Sequence, residues 1–407
     1  MLRIVHTADC HLDAPCASLD AGVRARVRAA EREAFARVCA LAIEREAHAL
    51  VIAGDLFERS EVGPAALHHV LAQLALVTQA GTAVVIASGN HDPGRALAPL
   101  ADAGCTLALS HEPVVVELTD AGGATLGHVV AVGHATAAEG ANLAQLLPQA
   151  PSPTSIAVLH AQVDGASGAR ERYAPCAPED LDRGYAYWAL GHVHERQALR
   201  AQPPAWYPGC LSPHDVGEPG AKGALVVEID AGGRTEVEFV PLAPVRFERL
   251  RLRLADVAAS GLAGLAGEAM AALEATPPGA AGEELVVRVE LRGRSPLALA
   301  LRDPEERAGS AEELALALGA LSAELRCEHL HPPLDLDRHR GQPHLLGAAL
   351  EISRRAAADE ALLEELAPAV LAGEDSGDPV ARRAYVAELV ADLDETLAES
   401  LLAEAAP

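Results

Sequence analysis

Five short apolar runs, each followed at once by residues that can bind a metal ion, constrain this chain more than any other feature. The runs cover residues 2–5, 50–53, 83–87, 156–159 and 188–190. A short apolar run with β-branched members is typical of a strand buried on both faces of a helix-covered sheet. Because ligands gather at the carboxyl ends of such strands, we expect the residues after the runs to meet at one edge.

The residues after the runs form five short motifs. In chain order they are Asp9-Cys10-His11, Gly54-Asp55, Gly89-Asn90-His91-Asp92, His160 and Gly191-His192-Val193-His194. Together they supply carboxylate, amide and imidazole donors. These donors are too many for a single small cation and about the number that two cations bind. The pattern therefore predicts a two-metal hydrolase of phosphate esters.

The motifs differ in how specific they are. Asp9 and His11 are two residues apart, so on an extended strand end they point to one side and can hold one cation, but such a pair is common by chance. The third motif is stronger because it combines three chemical roles. Asn90 offers a neutral oxygen ligand, His91 can donate a proton beside the scissile phosphate, and Asp92 can orient the ring of His91.

The charge of the chain limits how it can hold a polyanion. The formal net charge is −26, and Lys222 is the only lysine. Affinity for DNA comes largely from Lys and Arg that neutralise phosphates, so this balance argues against tight DNA binding by the chain alone. A basic partner subunit would supply the positive charge that DNA binding requires.

Cysteine usage and hydropathy indicate the compartment. The seven cysteines are scattered and include no Cys-x-x-Cys pair, which favours free thiols in a reducing cytoplasm. No apolar run approaches the roughly 20 residues that a bilayer requires, and the first residues do not resemble a signal peptide. We therefore expect a cytoplasmic protein that does not enter a membrane.

Residues 1–243 alternate strand-like and helical patterns. Helices are predicted at 21–47 and 64–79, and further strands at 114–118, 126–132, 224–229 and 235–240. This order predicts an α/β domain in which two sheets pack face to face, flanked by helices. Tyr185, Tyr187 and Trp188 are expected to pack in its core, and Cys10 to be a small buried side chain.

Residues 244–340 have a second pattern. We predict strands at 247–254, 284–291 and 326–330, a helix after the first strand and another at 311–325, forming a small α+β domain. The first of these strands alternates leucines with arginines, which should occupy its outer face. Residues 341–407 are predicted to be an acidic tail with helices at 347–372 and 379–403.

In this order, the five motifs resemble the signature of the calcineurin-like metallophosphoesterases. The fuller stretches His6-Thr7-Ala8-Asp9-Cys10-His11, Gly54-Asp55-Leu56-Phe57 and Tyr207-Pro208-Gly209-Cys210 resemble the DNA repair exonuclease branch of that family, the SbcD- and YhaO-type nuclease subunits. The resemblance covers residues 1–243 with specific motifs. It extends to 340 only through the pattern of a small capping domain, and it lapses over the tail.

The resemblance implies a site and a mechanism. It implies a first metal held by Asp9, His11, Asp55 and His194, and a second held by Asp55, Asn90, His160 and His192, with Asp55 bridging. His91 would position the phosphate and protonate the leaving oxygen. A metal-bound hydroxide would attack phosphorus in line. The mixed donor set suits manganese best, with iron or zinc as alternatives.

The function implied is that of a DNA exonuclease or endonuclease subunit in DNA repair. Residues 217–223 lack the ending of a phosphate-binding P-loop, so an ATP-driven step requires another protein. The family's partner is an SMC-like ATPase with a long coiled coil, on which the acidic tail would dock; a homodimer is also possible. Folding of the tail back onto its own domain is the alternative for these helices.

Two other functions remain open. The chain is alternatively a small-molecule phosphodiesterase or phosphatase on the same fold, which the negative charge favours. It is alternatively a mainly scaffolding subunit whose catalytic site has lost its ligands. Against this, all the motif residues that would bind metal or phosphate are present.

Overall fold

The structure is a computed structural model of the 407-residue chain. It describes residues 1–16, 19, 21–167, 173–254, 261–332, 336–359, 393–394 and 397. All statements below refer to these residues.

The first sheet contains the three apolar runs from the start of the chain. Its strands are β1 (Leu2–Thr7), β2 (Ala49–Ala53), β3 (Ala83–Ala87), β4 (Thr106–Ala108), β11 (Gly223–Ile229) and β12 (Thr235–Pro241), in the order β12-β11-β1-β2-β3-β4. Strands β1 to β4 are parallel, with Val5 opposite Leu50 and Ile52 opposite Ile86. Strand β11 runs antiparallel to β1.

The second sheet contains the other two runs. Its strands are β5 (Val114–Thr119), β6 (Thr125–Ala131), β7 (Ile156–His160), β8 (Tyr187–Gly191), β9 (Gln197–Ala201) and β10 (Pro204–Tyr207), in the order β5-β6-β7-β8-β10-β9. Strands β7 and β8 are parallel neighbours, with His160 opposite Gly191.

Three apolar layers pack against these sheets: one between them and one on the outer face of each. The middle layer lies between them and includes Ile4, Val51 and Val158. On the outer face of the first sheet, helices α1 (Ala21–Glu44) and α2 (Pro64–Gln79) pack through Phe35 and Leu74 among others. The expected α/β sandwich of two sheets flanked by helices is therefore confirmed.

The aromatic residues before the last motif lie in the core. Tyr187 faces the layer between the sheets, whereas Tyr185 and Trp188 belong to the layer outside the second sheet. The Tyr187 hydroxyl also lies 2.9 Å from His6 Nδ1. The prediction of core packing is confirmed for all three. Cys10 is also buried, and all seven cysteines are free thiols.

A third sheet follows in the chain. It comprises β13 (Val245–Arg253), β14 (Glu284–Arg294) and β15 (Ser322–His331), in that order, with helices α3 (Gly261–Glu274), α4 (Leu297–Ala300) and α5 (Pro304–Leu318) between the strands. Along β13, Leu250 and Leu252 are buried while Arg249, Arg251 and Arg253 are exposed, as the alternation predicted.

The helix predicted at 311–325 is wrong in position. The helix α5 ends at Leu318, and strand β15 already begins at Ser322. The reason is Gly319, whose φ of 63° is a left-handed conformation that closes a helix. The predicted helix extended past this glycine, where the observed helix ends.

By their contacts, the residues form two compact units. One comprises Met1–Arg249, Ala272–Arg288 and Ala315–Ala323, and the other comprises Leu250–Ala271, Val289–Leu314 and Glu324–Pro407. The domain boundaries at 243 and 340 stay a prediction.

In the predicted tail, helix α6 covers Leu345–Ala358. The rest of the tail helix predicted at 347–372, from residue 360, and nearly all of the one at 379–403 lie outside the described residues. Among the described helices, none is long and apolar enough to cross a bilayer.

Candidate metal centre

The loops after five buried strands meet at one edge where the two sheets face each other. Across the gap, the His160 Nδ1–H donates to the Ala53 carbonyl at 2.9 Å. This contact requires a bare backbone, because a Cβ on Gly191 would lie 1.8 Å from the same carbonyl oxygen. The expected convergence of strand ends therefore occurs, and glycine permits it.

The backbone at this edge is strained. Asp9, His11, Asp55 and His192 have φ values of 50°, 44°, 50° and 103°, a region that residues other than glycine rarely adopt. Hydrogen bonds hold it there: the Asp9 amide donates to the Gly54 carbonyl at 3.1 Å and the His11 amide to the Asp55 carbonyl at 3.0 Å. Strain of this kind concentrates at functional sites.

A first group of donors contains Asp9, His11 and His194, whose ligand atoms lie within 4.8 Å of one another. The Nε2 atoms of His11 and His194 are 3.1 Å apart. Two ligands about 2.1 Å from one cation and at right angles would be about 3 Å apart, so the spacing fits. The Asp9 carboxylate accepts the His192 amide at 3.0 and 3.1 Å, which fixes its orientation.

A second group lies beside the first. The His160 Nε2 atom is 3.0 Å from the Asn90 Oδ1 atom and 3.3 Å from the Asp55 Oδ2 atom. The His192 ring packs against the His160 ring, with centroids 5.3 Å apart. The same Asp55 oxygen is 3.7 Å from the His11 Nε2 atom. Asp55 therefore stands between the two groups, where a bridging ligand would be.

His91 lies beside both groups and lines the cavity above them. Its Nδ1–H donates to the Glu58 carbonyl at 2.9 Å, and its amide donates to the Asp55 carboxylate at 2.9 Å. His91 also forms a cluster with His11 and Glu58. Because its Nδ1 atom is engaged by a carbonyl, the Nε2 atom is the one left for chemistry.

Asp92 does not do what its place in the motif predicted. Its two carboxylate oxygens accept the amides of Gly89 at 2.9 Å and Phe57 at 3.1 Å. The ring of His91 is oriented by Glu58 instead, so the prediction that Asp92 orients it is wrong. Asp92 is fully buried and ties the loop after β3 to the loop after β2.

The buried charges influence one another strongly. Burial raises the pKa of Asp9, although His160 and His194 oppose this. Burial alone would raise the pKa of Asp55, but His160 and His11 hold it well below its usual range. Burial alone would lower the pKa of His160, but Asp55 raises it to about 9. Such a cluster of carboxylates and imidazoles is chemically suited to a divalent cation.

The groups open into a cavity of about 1180 Å³. Its lining includes Asp55, Asn90, His91, Tyr173, His192, His194, Glu195, Asp215, Glu218 and Lys222. The Lys222 ammonium donates to the His194 carbonyl at 3.2 Å. The carboxylates make the cavity attractive to cations.

Sequence reasoning missed three residues at this site. The carboxylate of Glu58 accepts the His11 Nδ1–H at 2.9 Å, and that of Glu218 accepts the His194 Nδ1–H. The ring centroid of His214 is 5.3 Å from that of His11. Glu58 lies three residues after Asp55, but no spacing rule distinguishes it or Glu218 from other glutamates.

Known proteins resemble part of this chain. Residues 2–196 match the family model for calcineurin-like phosphoesterases. The uncharacterized metallophosphoesterase YhaO of Bacillus subtilis is 27% identical over 255 residues, which are 61% of this chain and 62% of YhaO. The DNA double-strand break repair protein Mre11 of Methanopyrus kandleri is 28% identical over 266 residues, which are 59% of this chain and 56% of Mre11.

The chain thus spans less than two thirds of the length of either relative. A solved dimetal phosphatase from Danio rerio aligns with 58% of this chain and 98% of its own, at 11% identity and a TM-score of 0.37. Residues 2–196 therefore resemble the calcineurin-like phosphoesterases, and the chain is similar to the metallophosphoesterase YhaO and to the DNA repair protein Mre11.

Proposed function

We propose that this chain is a two-metal phosphodiesterase that cuts DNA. The observation that carries the proposal is the arrangement around Asp55. One of its carboxylate oxygens lies 3.3 Å from a nitrogen of one donor group and 3.7 Å from a nitrogen of the other. A single carboxylate shared by two sets of donors is the arrangement that a pair of cations requires.

In this proposal, the residues of the two groups take the roles that the family resemblance implies. Asp9, His11, Asp55 and His194 would hold one cation, and Asp55, Asn90, His160 and His192 the other. Manganese suits carboxylate, amide and imidazole donors best, with iron or zinc as alternatives. When bound, the cations would supply Lewis-acid stabilisation of charge on the phosphoryl oxygens and an activated water.

His91 would supply the proton for the leaving oxygen. Its side chain is 38% exposed, and it lines the cavity that a substrate would enter. Its Nδ1–H is fixed on the Glu58 carbonyl, so a protonated ring would present its second proton at Nε2. The carbonyl thus holds the ring in the orientation from which it can donate.

DNA as the substrate is supported by one relative and by the arginines on one side of a strand. The relative from Methanopyrus is a DNA double-strand break repair protein. In this chain, Arg249, Arg251 and Arg253 are exposed along one side of β13, and Arg251 also contacts Glu290 at 3.4 Å. Arginines in a row suit the spaced charges of a phosphate backbone.

The proposal extends to partners and location. An SMC-like ATPase in the cytoplasm, acting with this chain in DNA repair, would supply the ATP-driven step and further positive charge. Docking on such a partner through the acidic tail, and a homodimer, are part of the same proposal. The acidic lining of the cavity, with Glu195, Asp215 and Glu218, favours the runner-up, a small-molecule phosphodiesterase.

One assay with a matched variant separates the two substrates. With manganese, the protein should degrade single-stranded DNA and hydrolyse bis(p-nitrophenyl) phosphate, and a chelator should stop both reactions. Changing Arg249, Arg251 and Arg253 together to Gln should weaken DNA binding by about tenfold or more at low salt, because each phosphate contact contributes to affinity. Hydrolysis of the small ester should remain within about twofold.

Each other outcome has a distinct meaning. Hydrolysis of the small ester with no DNA cleavage, either alone or with the ATPase, would establish the small-molecule enzyme. A protein that binds no metal and hydrolyses neither compound would be the scaffold subunit. If the triple variant binds DNA as tightly as wild type, β13 is not part of the DNA-binding surface.

A further inference from the structure

Two carboxylates stand directly behind the two histidines of the first donor group. The Glu58 carboxylate accepts the His11 Nδ1–H at 2.9 Å, and the Glu218 carboxylate accepts the His194 Nδ1–H. Each imidazole therefore carries its proton on Nδ1 and turns the Nε2 lone pair to the other ring. Those two Nε2 atoms are 3.1 Å apart. Two facing lone pairs repel each other unless a proton or a cation lies between them.

Both glutamates are anchored by the surrounding chain, Glu218 through its carboxylate and Glu58 through its backbone. Glu218 accepts the His214 amide at 2.8 Å through its second oxygen, which also lies 3.8 Å from the Cys210 sulfur. The backbone of Glu58 is hydrogen-bonded through both its amide and its carbonyl group. Its amide donates to the Leu12 carbonyl at 3.3 Å, and its carbonyl accepts from His91. Neither glutamate is a loose surface side chain.

The second donor group has a different support. His160 donates its Nδ1–H to the Ala53 carbonyl at 2.9 Å, which is a neutral acceptor. A carboxylate behind an imidazole fixes the tautomer and strengthens the ring as a ligand more than a neutral acceptor does. His11 and His194 are therefore supported by carboxylates, whereas His160 is supported by a neutral carbonyl.

Another assignment of Glu218 is less consistent with the geometry. His194, Cys210, His214 and Glu218 lie close enough together to form a metal site of their own. His194 would then have to give Nδ1 to that ion while its Nε2 atom serves the first group, and would have to lose both ring protons. The observed hydrogen bond to Glu218 keeps the proton on Nδ1, which leaves Glu218 acting through His194.

We infer that Glu58 and Glu218 are positioning residues, which fix His11 and His194 as Nε2 ligands and make the cation position they share the tighter of the two. The inference rests on the proposed metal centre. It predicts two unequal manganese affinities, and it predicts which of them each glutamate controls.

The test is a manganese titration of the full chain. Binding is monitored by the electron spin resonance signal of free Mn²⁺ and by calorimetry. Wild type should show a tight and a weaker class of sites. Glu58→Gln and Glu218→Gln should each weaken the tight class by about 10–100-fold and leave the weaker class within about twofold. Glu218→Ala should weaken the tight class further, because glutamine retains an oxygen that can accept the Nδ1–H.

A matched control is a carboxylate–histidine pair away from the centre. Glu139 accepts from His111 Nε2 at 2.7 Å and contacts none of the proposed ligands through its side chain. Glu139→Gln removes the same charge from the same kind of pair and should leave both manganese affinities unchanged. A merely structural role for Glu58 or Glu218 would lower the melting temperature and weaken both classes of site equally.

The outcomes separate this inference from the proposed function. Unchanged tight binding in both variants, or equal weakening of both classes, overturns the inference, while a wild type that binds manganese and hydrolyses phosphodiesters keeps the proposed function. A wild type that binds no manganese overturns both.

Discussion

Replacing His91 with alanine should lower the rate of phosphodiester hydrolysis by about 10²–10⁴-fold while the metal content stays at the wild-type value. The reason is that His91 lines the cavity and has one ring nitrogen fixed on the Glu58 carbonyl at 2.9 Å. The ring is therefore placed to donate a proton and is not needed to hold a cation. The measurement is kcat for bis(p-nitrophenyl) phosphate with manganese, beside elemental analysis of the same sample.

The control is His68→Ala on helix α2, which should retain wild-type kcat and metal content. Two results would count against the assignment of His91. One is a kcat within about threefold of wild type, and the other is loss of manganese from the variant, which would make His91 a ligand.

Replacing Gly89 with alanine should unfold the metal centre locally and cost about 3 kcal/mol or more in free energy of unfolding. A Cβ at this position would lie 2.1 Å from the Asp55 Oδ1 atom and 2.7 Å from the Asp55 amide nitrogen. The backbone atom cannot move without displacing the loop that carries the shared carboxylate. Thermal unfolding should show a melting temperature lower by about 2–4 °C per kcal/mol, together with loss of tight manganese binding.

Gly22→Ala is the matched change in helix α1, where an added Cβ would meet nothing within 4 Å. It should leave manganese binding unchanged and stability equal or slightly higher, because alanine favours a helix over glycine by up to about 1 kcal/mol. If Gly89→Ala keeps the wild-type melting temperature and manganese affinity, the close approach of the two loops is not essential to the centre.

The convergence of the motifs could be predicted from the sequence because it follows from strand direction. Apolar runs bounded by polar motifs predict buried parallel strands, and such strands end at a common edge. For example, β2 and β3 were predicted within one residue of their observed limits. The grouping of Asp9, Asp55 and His160 follows from this alone.

What could not be predicted depends on loop paths and on single glutamates. Asp92 follows His91 in the chain, yet its carboxylate binds the Phe57 amide on a different loop. Glu218 lies 24 residues after His194 and reaches it only because the turn after β10 returns to the site. No spacing pattern encodes contacts of this kind. The position of helix α5 failed for a local reason, the left-handed Gly319.

The central claim is that two cations share Asp55. Elemental analysis of the manganese-loaded, desalted protein tests it most directly, with Asp55→Asn as the paired variant. We predict about two equivalents of manganese in wild type and fewer than about one in Asp55→Asn, because asparagine keeps the shape of the side chain but loses its charge and a bridging oxygen. A wild type that holds a single equivalent, or an Asp55→Asn variant that retains two, would contradict the two-metal account.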